Sequence, residues 1–324
     1  MITKLNQFAG PLLLLLIATT TIKAQSPPSL LLVYDDYSGK RPGLTYWKNG
    51  EIIQLTDGKA EAGASAITVS GNDEYIAGYQ YNAAGEPVAT YWKNRLPITL
   101  TDGQTSAKAV AISVSGPDVH IIGNDGRQAV YWKNGKATSY GENTQLSAIA
   151  VSGNDVYIAG YQANEEGLYI ATCWKNGQAA ALTDGRSNAE ANAIAISGNG
   201  VYVAGFTVNA AGKEVAMYWK NGAPVILPDG CRANAIAVSG DNVYVAGIDR
   251  DEAGANIIVC WKNGKAVKLT SGKETAGAGV KTIALAGNDI YLAGYLDGIA
   301  TYWKNEKPVM LSDIMGKING MVIR

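Results

Sequence analysis

Residues 147–184, SAIAVSGNDVYIAGYQANEEGLYIATCWKNGQAAALTD, decide the fold of this chain. Within them, small or polar and branched or aromatic side chains alternate with a period of two, which is typical of strands and not of helices. The alternating segments are 147–152, 156–161, 169–174 and 179–184. The reversal at Asn176-Gly177 favours a two-residue hairpin, because Asn and Gly tolerate positive φ angles. The stretch predicts four antiparallel strands joined by tight turns.

The same unit recurs along the chain. The motif Tyr/Cys-Trp-Lys-Asn contains all the tryptophans, which are Trp47, Trp92, Trp132, Trp174, Trp219, Trp261 and Trp303. Neighbouring copies lie 40 to 45 residues apart, which is the period of four-stranded propeller blades rather than of short solenoid coils. We therefore predict an all-β fold, a seven-bladed β-propeller of four-stranded blades.

The Ala-rich strand of each repeat is predicted to lie innermost, where converging blades leave room only for small side chains. These strands are 65–70, 110–115, 147–152, 192–197, 234–239, 281–286 and 319–324. The first blade begins instead with LLLVYD, residues 30–35, in the position of a second strand. We predict that the C-terminal strand 319–324 is the missing inner strand of this blade, so that N- and C-terminal strands close the ring without an open edge.

The N-terminal residues 1–24 have the pattern of a secretory signal peptide. Lys4 precedes an apolar run from Phe8 to about Ala18, and Ala24 is a small residue at the expected cleavage point. The alternative, a retained membrane anchor, is disfavoured because this run is shorter than the ~20 residues that cross a bilayer as a helix. We predict a secreted or periplasmic protein with a linker at 25–29, a single propeller domain over 30–324 and no membrane span after cleavage.

Composition argues against several functions. The formal net charge of −1 lacks the basic surplus of nucleic-acid-binding proteins, so no nucleic-acid partner is predicted. His120 is the only histidine and occupies a slot that other repeats fill with Tyr, so it is interpreted as a packing residue. No zinc or calcium cluster is evident, and we predict no catalytic residues, metal or cofactor. The three cysteines are expected to be free thiols, and the chain is expected to be monomeric.

Two repeated residue types each allow two interpretations. The ring of tryptophans could be a set of sugar-stacking platforms, but a residue present mid-strand in every copy is better explained as packing between blades. The Lys-Asn-Gly sequences could be basic binding sites, but their place at a hairpin reversal indicates turns with solvated lysines. We predict the packing and turn interpretations.

The two faces of the ring are expected to differ. The turns after the first and third strands of each blade are uniform, and antiparallel geometry places them on one face. The other face carries the variable loops 80–87, 162–167, 207–214 and 249–256, together with the connections between blades. Residues in those connections differ from copy to copy, and we predict that they form a ligand-binding site at the mouth of the central channel. The candidates are Lys108, Gln145, Glu190, Arg232 and Lys317.

At the level of the repeat, the chain resembles the HAF family of bacterial extracellular repeats. Copies in that family contain Ala-x-x-Trp-x-x-Gly, then Leu, then Ala-Ile and a short strand bounded by Gly. The matching residues here are Ala89-Thr90-Tyr91-Trp92, Leu100, and Ala111-Ile112 through Gly116. The resemblance extends over nearly all of residues 30–324 and implies an exported repeat protein. It brings no catalytic residues.

These observations favour a non-catalytic binding module for a protein or glycan partner. The alternative is a propeller enzyme, such as a polysaccharide lyase or a glycosidase, with its active site in the channel mouth. A third possibility is a purely structural surface protein. Fold alone does not decide among them. What would favour an enzyme is a pair of carboxylates, or a Tyr/His/Arg set, that converges in the channel mouth.

Overall fold

The computed structural model describes residues 28–39, 43–274 and 277–324. The secondary-structure elements assigned within those ranges are all β-strands. No helix that is long and apolar enough to span a bilayer is found there. The predicted signal peptide lies outside the described residues, as do residues 25–27 of the predicted linker. The first strand begins at Leu30.

The strands are numbered in chain order. The first three are β1 (Leu30–Asp36), β2 (Thr45–Lys48) and β3 (Glu51–Gln54). Next come β4 (Ala62–Ser70), β5 (Asp73–Tyr81), β6 (Pro87–Lys93), β7 (Leu96–Thr99), β8 (Ala107–Ser115), β9 (Asp118–Asp125), β10 (Gln128–Lys133) and β11 (Lys136–Gly141). They are followed by β12 (Thr144–Ser152), β13 (Asp155–Ala163), β14 (Tyr169–Lys175), β15 (Gln178–Ala181), β16 (Ala189–Ser197), β17 (Gly200–Val208), β18 (Glu214–Lys220) and β19 (Ala223–Ile226). The last are β20 (Arg232–Ser239), β21 (Asn242–Arg250), β22 (Asn256–Lys262), β23 (Lys265–Lys268), β24 (Ala278–Ala286), β25 (Asp289–Leu296), β26 (Ile299–Lys304) and β27 (Lys307–Ile323).

The strands form seven antiparallel blades. Blades 2 to 6 are the four-stranded sheets β4–β7, β8–β11, β12–β15, β16–β19 and β20–β23. Blades 7 and 1 share one sheet, in which β27 lies between β26 and β1. Residues 307–315 of β27 pair with β26 and complete blade 7, whereas residues 316–323 pair with β1 and complete blade 1. The fold is therefore the predicted β-propeller, with terminal strands paired in blade 1.

The C-terminal strand differs from the prediction in its extent. The sequence suggested a separate inner strand at 319–324, but β27 runs without a break over 17 residues. Its first part is the outer strand of blade 7, so one continuous strand serves two neighbouring blades. Blade 1 also contacts blade 2, because Asn319 Nδ2 of blade 1 donates to the carbonyl of Ala64 in blade 2 at 3.0 Å.

The uniform turns lie together on one face, as predicted. Asn176 and Gly177 have φ angles of 51° and 84°, the left-handed conformation that this hairpin requires. Asn176 Nδ2 donates to Asp155 at 2.8 Å, and the backbone N–H of Val156 donates to Asn176 Oδ1 at 2.8 Å. The turn after the third strand is thus tied to the turn after the first strand.

The lysines of the Lys-Asn-Gly turns are mostly exposed, as predicted, and several of them also form ion pairs. Lys175 Nζ lies 2.8 Å from Asp155 and 5.3 Å from the centre of the Tyr157 ring. The corresponding ion pairs in other blades are Lys93–Asp73, Lys133–Asp118 and Lys304–Asp289. Because the aspartate begins the neighbouring strand, it lies within reach of the lysine. Such solvent-screened pairs contribute little to stability.

The tryptophans are buried between blades, which confirms the packing interpretation. Trp132 belongs to one cluster with Tyr75 and Tyr91 of the preceding blade and is 1% exposed. Trp261 is fully buried, and its Nε1 donates to the carbonyl of Pro228 in the preceding blade at 2.6 Å. The indole faces are therefore covered by protein and unavailable to a sugar; Trp47 alone among the seven is only partly buried.

Candidate functional site

The channel wall is shaped by a β-bulge in every inner strand. Inner strands begin two or three residues earlier than predicted, and each contains one residue that is skipped in the ladder. The skipped residues are Ser65, Val110, Ser147, Asn192, Asn234, Lys281 and Asn319. Bulges commonly re-aim a side chain. The residues at these seven positions are Ser, Val, Asn or Lys, so their side chains vary on an otherwise regular wall.

The bulge also explains a repeated glycine in the second strand of blades 2 to 7. A Cβ on Gly160 would lie 1.9 Å from the carbonyl oxygen of Gln145 in the bulged strand. The equivalent glycines are Gly78, Gly123, Gly205, Gly247 and Gly294. Only glycine allows this close approach of the two backbones, so the bulge is built into the repeat and is not a local irregularity.

Three of the bulge residues are asparagines that join neighbouring blades. Asn192 Nδ2 donates to the carbonyl of Ala233 at 3.1 Å, and Asn234 Nδ2 donates to that of Val280 at 3.1 Å. The bond from Asn319 to Ala64 follows the same pattern. These side-chain bonds fix the spacing of inner strands around the channel.

A cavity of about 490 Å³ lies inside this wall. It is lined by five blades, and the polar or aromatic side chains among its lining residues are Asp35, Ser65, Tyr79, Lys108, Asn234, Asn256, Lys281, Tyr295, Lys317 and Asn319. Tyr79 and Asn256 lie near the ends of strands that border the variable loops. The cavity therefore lies at the channel mouth on the face predicted to bind a ligand, and its volume is typical of small-molecule sites.

Three lysines give the cavity a positive charge. Lys317 Nζ lies 3.6 Å from Asp35, the one carboxylate among the lining residues. Lys108 Nζ lies over the Tyr79 ring, 4.1 Å from its centre, within the range of a cation–π contact. Lys281 projects from the bulge of β24 and lines the same cavity; its side chain is exposed, and desolvation by the surrounding protein together with the charge of Lys317 lowers its pKa. Lining lysines outnumber the carboxylate by three to one.

Two tyrosines line the same cavity because glycines lie beneath them. Gly63 and Gly279 are paired across the strand with Tyr79 and Tyr295. A Cβ on Gly63 would come within 2.6 Å of the Tyr79 ring, and one on Gly279 would come still closer to the Tyr295 ring. The absence of these side chains lets both rings lie inward over the backbone, half-buried and facing the cavity.

The structure brings together two of the five predicted site residues. Lys108 and Lys317 line the cavity, whereas Gln145, Glu190 and Arg232 do not. All five lie within inner strands rather than in the connections between blades, because the bulged strands extend further than the sequence suggested. Gln145 Nε2 donates to the neighbouring carbonyl of Leu146 at 3.2 Å.

Glu190 and Arg232 belong to a separate charged cluster in blades 5 and 6. Arg232 forms a bidentate ion pair with Glu214 and lies over the Phe206 ring, 4.4 Å from its centre. Arg250 also contacts Glu214, at 3.2 Å. Burial raises the pKa of Glu190 against the opposing effect of Arg232, while the hydrogen bond from Arg232 lowers the pKa of Glu214. The Arg232 guanidinium is thus held by Glu214 and Phe206 of the neighbouring blade.

Several cavity residues were missed by sequence reasoning. Lys281, Asn234 and Asn319 each stand first in an inner strand as the sequence defines it, so they were treated as framework. A signal was present, because this first position varies from Ser to Val, Asn and Lys while the following residues repeat. Variation at one position inside a uniform strand could have identified the cavity wall.

The variable loops are more alike than their sequences suggest. In the loop that begins at Asn82, the N–H of Gly85 donates to the carbonyl of Asn82 at 3.0 Å, and the N–H of Asn82 donates to that of Glu86 at 2.9 Å. The loops that begin at Asn164, Asn209 and Asp251 repeat both bonds. Because these four loops share one backbone geometry, the blades differ more in the side chains of the channel wall than in their loops.

The single histidine lies on the opposite face. His120 is 2% exposed, and its Nδ1 lies 2.7 Å from the Tyr131 hydroxyl. Burial lowers its pKa below the usual 6.5, and the charge of Lys133 adds to this effect. It fills the slot that holds tyrosine in other blades, such as Tyr75 and Tyr157, which agrees with the packing interpretation.

This histidine is expected to make stability depend on pH. As pH falls through 6.5, the unfolded chain binds a proton before the folded protein does, so His120 lowers the free energy of unfolding as acid is added. The His120→Tyr variant removes this contribution of His120 to the pH dependence of the free energy of unfolding. We expect its melting temperature to fall less between pH 7 and pH 5 than that of the unmodified protein, measured by calorimetry. Equal slopes for the two proteins would contradict this.

The strand pairing and the channel define a seven-bladed β-propeller with a lined cavity at one mouth. No family model matches the chain, and no curated protein matches it, so the HAF resemblance stays a prediction. Among solved structures, the chain is similar to a putative 6-phosphogluconolactonase from Bacteroides fragilis, with a TM-score of 0.49 and 12% identity over 92% of this chain and 98% of that chain. It is also similar to a prolyl endopeptidase structure, with a TM-score of 0.48 and 11% identity over 76% of this chain. This chain spans only 42% of the prolyl endopeptidase chain.

Proposed function

We propose that this protein is an exported, non-catalytic binding module that holds a glycan at the mouth of its central channel. The observation that carries the proposal is the cavity of about 490 Å³, in which Lys108, Lys317, Tyr79 and Tyr295 meet. A concave site with a few convergent polar groups suits a small ligand or the end of a chain better than a protein surface. The signal-peptide pattern of residues 1–24 and the repeat resemblance support export.

A rigid wall also supports this proposal. Most of the lining residues belong to the bulged inner strands, and two of them are held by hydrogen bonds to the next blade. Asn234 and Asn319 are held at 3.1 and 3.0 Å from the carbonyls that they bond. A site built on rigid strands requires little ordering when the ligand arrives, and this reduces the cost of binding.

The enzyme alternative rests on Glu190 and Glu214. Their charges interact, and their pKa values are shifted in opposite directions, which is a pattern found in pairs that act as acid and base. Against it, Glu214 is held by Arg232 and Arg250, and neither carboxylate lines the cavity. His120 lies on the other face. We expect no release of reducing ends and no unsaturated product from any polysaccharide that the protein binds.

Binding measurements on matched lysine variants test the proposal. A glycan array identifies ligands, and titration calorimetry then measures affinity for the best of them. We expect Lys108→Ala and Lys317→Ala to weaken binding, at least one of them about tenfold or more, because truncating a desolvated charge at a binding site typically costs about 2 kcal/mol or more. The melting temperature should change little.

Lys133→Glu is the control for charge. It lies on the turn face in an ion pair with Asp118 at 2.7 Å, so its reversal should leave affinity unchanged. Normal binding by both cavity variants, or equal losses in all three, would argue against a site at the channel mouth.

A further inference from the structure

Lys281 is the least expected residue of the cavity. It occupies the bulge position of β24, where other blades have Ser, Val or Asn. The charge of a second lysine, Lys317, acts on Lys281. Among the described residues, no carboxylate forms an ion pair with Lys281. Both ammonium groups line one cavity, and placing two like charges there is unfavourable without a counter-charge. An anion bound between them would supply that charge.

Asp35 compensates only Lys317 among the three lysines of the cavity. It lies 3.6 Å from Lys317 Nζ, a loose contact, and Tyr37 and Asp35 together hold the pKa of Lys317 above its usual value although burial opposes them. Lys108 lies over Tyr79 rather than beside a carboxylate. The cavity therefore keeps an excess of positive charge that Asp35 alone does not neutralise.

The asparagines of the cavity indicate which hydrogen-bonding groups a ligand needs besides its charge. Asn234, Asn256 and Asn319 all line the cavity, and each uses its Nδ2 to donate to a backbone carbonyl, of Val280, Ala278 and Ala64 respectively. What these side chains can still offer a ligand is their Oδ1, which accepts hydrogen bonds, and the second N–H of their Nδ2, which donates. Hydroxyl groups both donate and accept, so a ligand that matches these side chains carries hydroxyl groups in addition to its negative charge.

The two tyrosines supply flat surfaces. Tyr79 and Tyr295 lie over Gly63 and Gly279 and expose ring atoms to the cavity. Aromatic faces combine an apolar surface with a polar tip, and the carbon–hydrogen faces of a pyranose ring fit such surfaces. Neither a bare inorganic anion nor a simple apolar acid would use the charge, the acceptors and the rings together.

We propose that the cavity binds an acidic sugar, a pyranose that carries a carboxylate, with the carboxylate between Lys281 and Lys317, hydroxyl groups toward the asparagine Oδ1 atoms and the ring against Tyr79 or Tyr295. This rests on the proposed function and names its ligand class. The sugar is a terminal or short uronate segment, because the cavity has a volume of only about 490 Å³.

Titration calorimetry on the purified protein tests this with defined probes. The acidic probes are short oligosaccharides of galacturonate, of mannuronate and of glucuronate with N-acetylglucosamine; the neutral probe is galactotriose; the bare anions are inorganic phosphate and sulfate. We expect at least one acidic oligosaccharide to bind, with galactotriose and both anions at least tenfold weaker. Affinity for the acidic probe should fall as salt rises, because a charge pair is screened.

Variants connect the binding to the lysines. Lys281→Met should weaken binding of the acidic probe at least tenfold, while the melting temperature at pH 7 stays the same or rises, because the repulsion from Lys317 is relieved. Lys317→Met is a second variant at the same anion position, and we expect a similar loss. Lys304→Met, on the turn face, is the matched control and should bind like the unmodified protein.

Each other outcome overturns the inference in a distinguishable way. If galactotriose binds as tightly as the acidic probes, the site accepts neutral glycans; the ligand class is wrong while the proposed function stands. If phosphate or sulfate binds in a Lys281-dependent manner and no saccharide does, the cavity is an anion site and both proposals fail. If no glycan on the array or in the panel binds, both also fail.

Discussion

A chain that ends at Met315 is expected to lose cooperative unfolding or to aggregate. The deletion removes residues 316–324, of which 316–323 form the inner strand of blade 1 and pair along the whole of β1. Ile318 and Met321 are buried, and each such side chain contributes about 1.5–3 kcal/mol when removed from water. Leu32 and Val33, which are fully buried, would lose their partner strand. The loss approaches the ~5–15 kcal/mol that stabilises a typical domain.

Calorimetry and light scattering measure this effect, and removal of Arg324 alone is the control. Arg324 donates to Glu74 at 3.1 Å, but Glu74 also accepts from Lys48 at 2.7 Å and from the Tyr46 hydroxyl at 2.7 Å. The shorter deletion should therefore cost little. Cooperative melting of the Met315-terminated chain at the temperature of the full chain would show that the ring does not depend on β27.

Trp261→Ala is expected to lower the free energy of unfolding more than any other single substitution proposed here. Replacing a buried Trp by Ala typically costs about 3–5 kcal/mol through lost contacts and the cavity left behind. Here the carbonyl of Pro228 also loses the hydrogen bond from Nε1. A loss of this size lowers the melting temperature of a protein this large by roughly 10 °C.

Trp47→Ala is its matched control. Trp47 occupies the same position of the repeat but is partly buried, with its ring 6.2 Å from that of Tyr302. Its removal should cost clearly less than that of Trp261, and the folded variant should keep its affinity for glycan. Loss of binding in a well-folded Trp47→Ala protein, or equal melting of Trp261→Ala and the unmodified protein, would restore the possibility that tryptophans contact the ligand.

Much of this fold follows from local sequence. Alternation within 147–184 predicted the strands, the spacing of the tryptophans predicted the blades, and the uniform Asn-Gly turns predicted which face carries the variable loops. These features are local because a hairpin and its register depend on residues close together in the chain. The position of LLLVYD as a second strand was enough to predict its pairing with the C-terminus.

The site was less predictable because it depends on bulges and on long-range pairing. Lys281 looked like the first residue of a regular strand, and only the skipped pairing in β24 directs it into the channel. Arg232 looked like an available charge, but Glu214 lies 18 residues earlier in the chain and binds it. No local pattern distinguishes these two outcomes, because each depends on how neighbouring blades pack.

The meeting of the two ends of the described propeller has a practical consequence for attaching this protein to something else. Ser29 and Arg324 exchange backbone hydrogen bonds of 2.6 and 3.0 Å, and Leu30 bonds to Asn49 in the Lys-Asn-Gly turn of blade 1. Both ends of the described propeller therefore lie on the turn face, opposite the cavity. A fusion partner, an affinity tag or a sensor surface joined at either end would hold the molecule in one orientation, with the cavity pointing outward into solution.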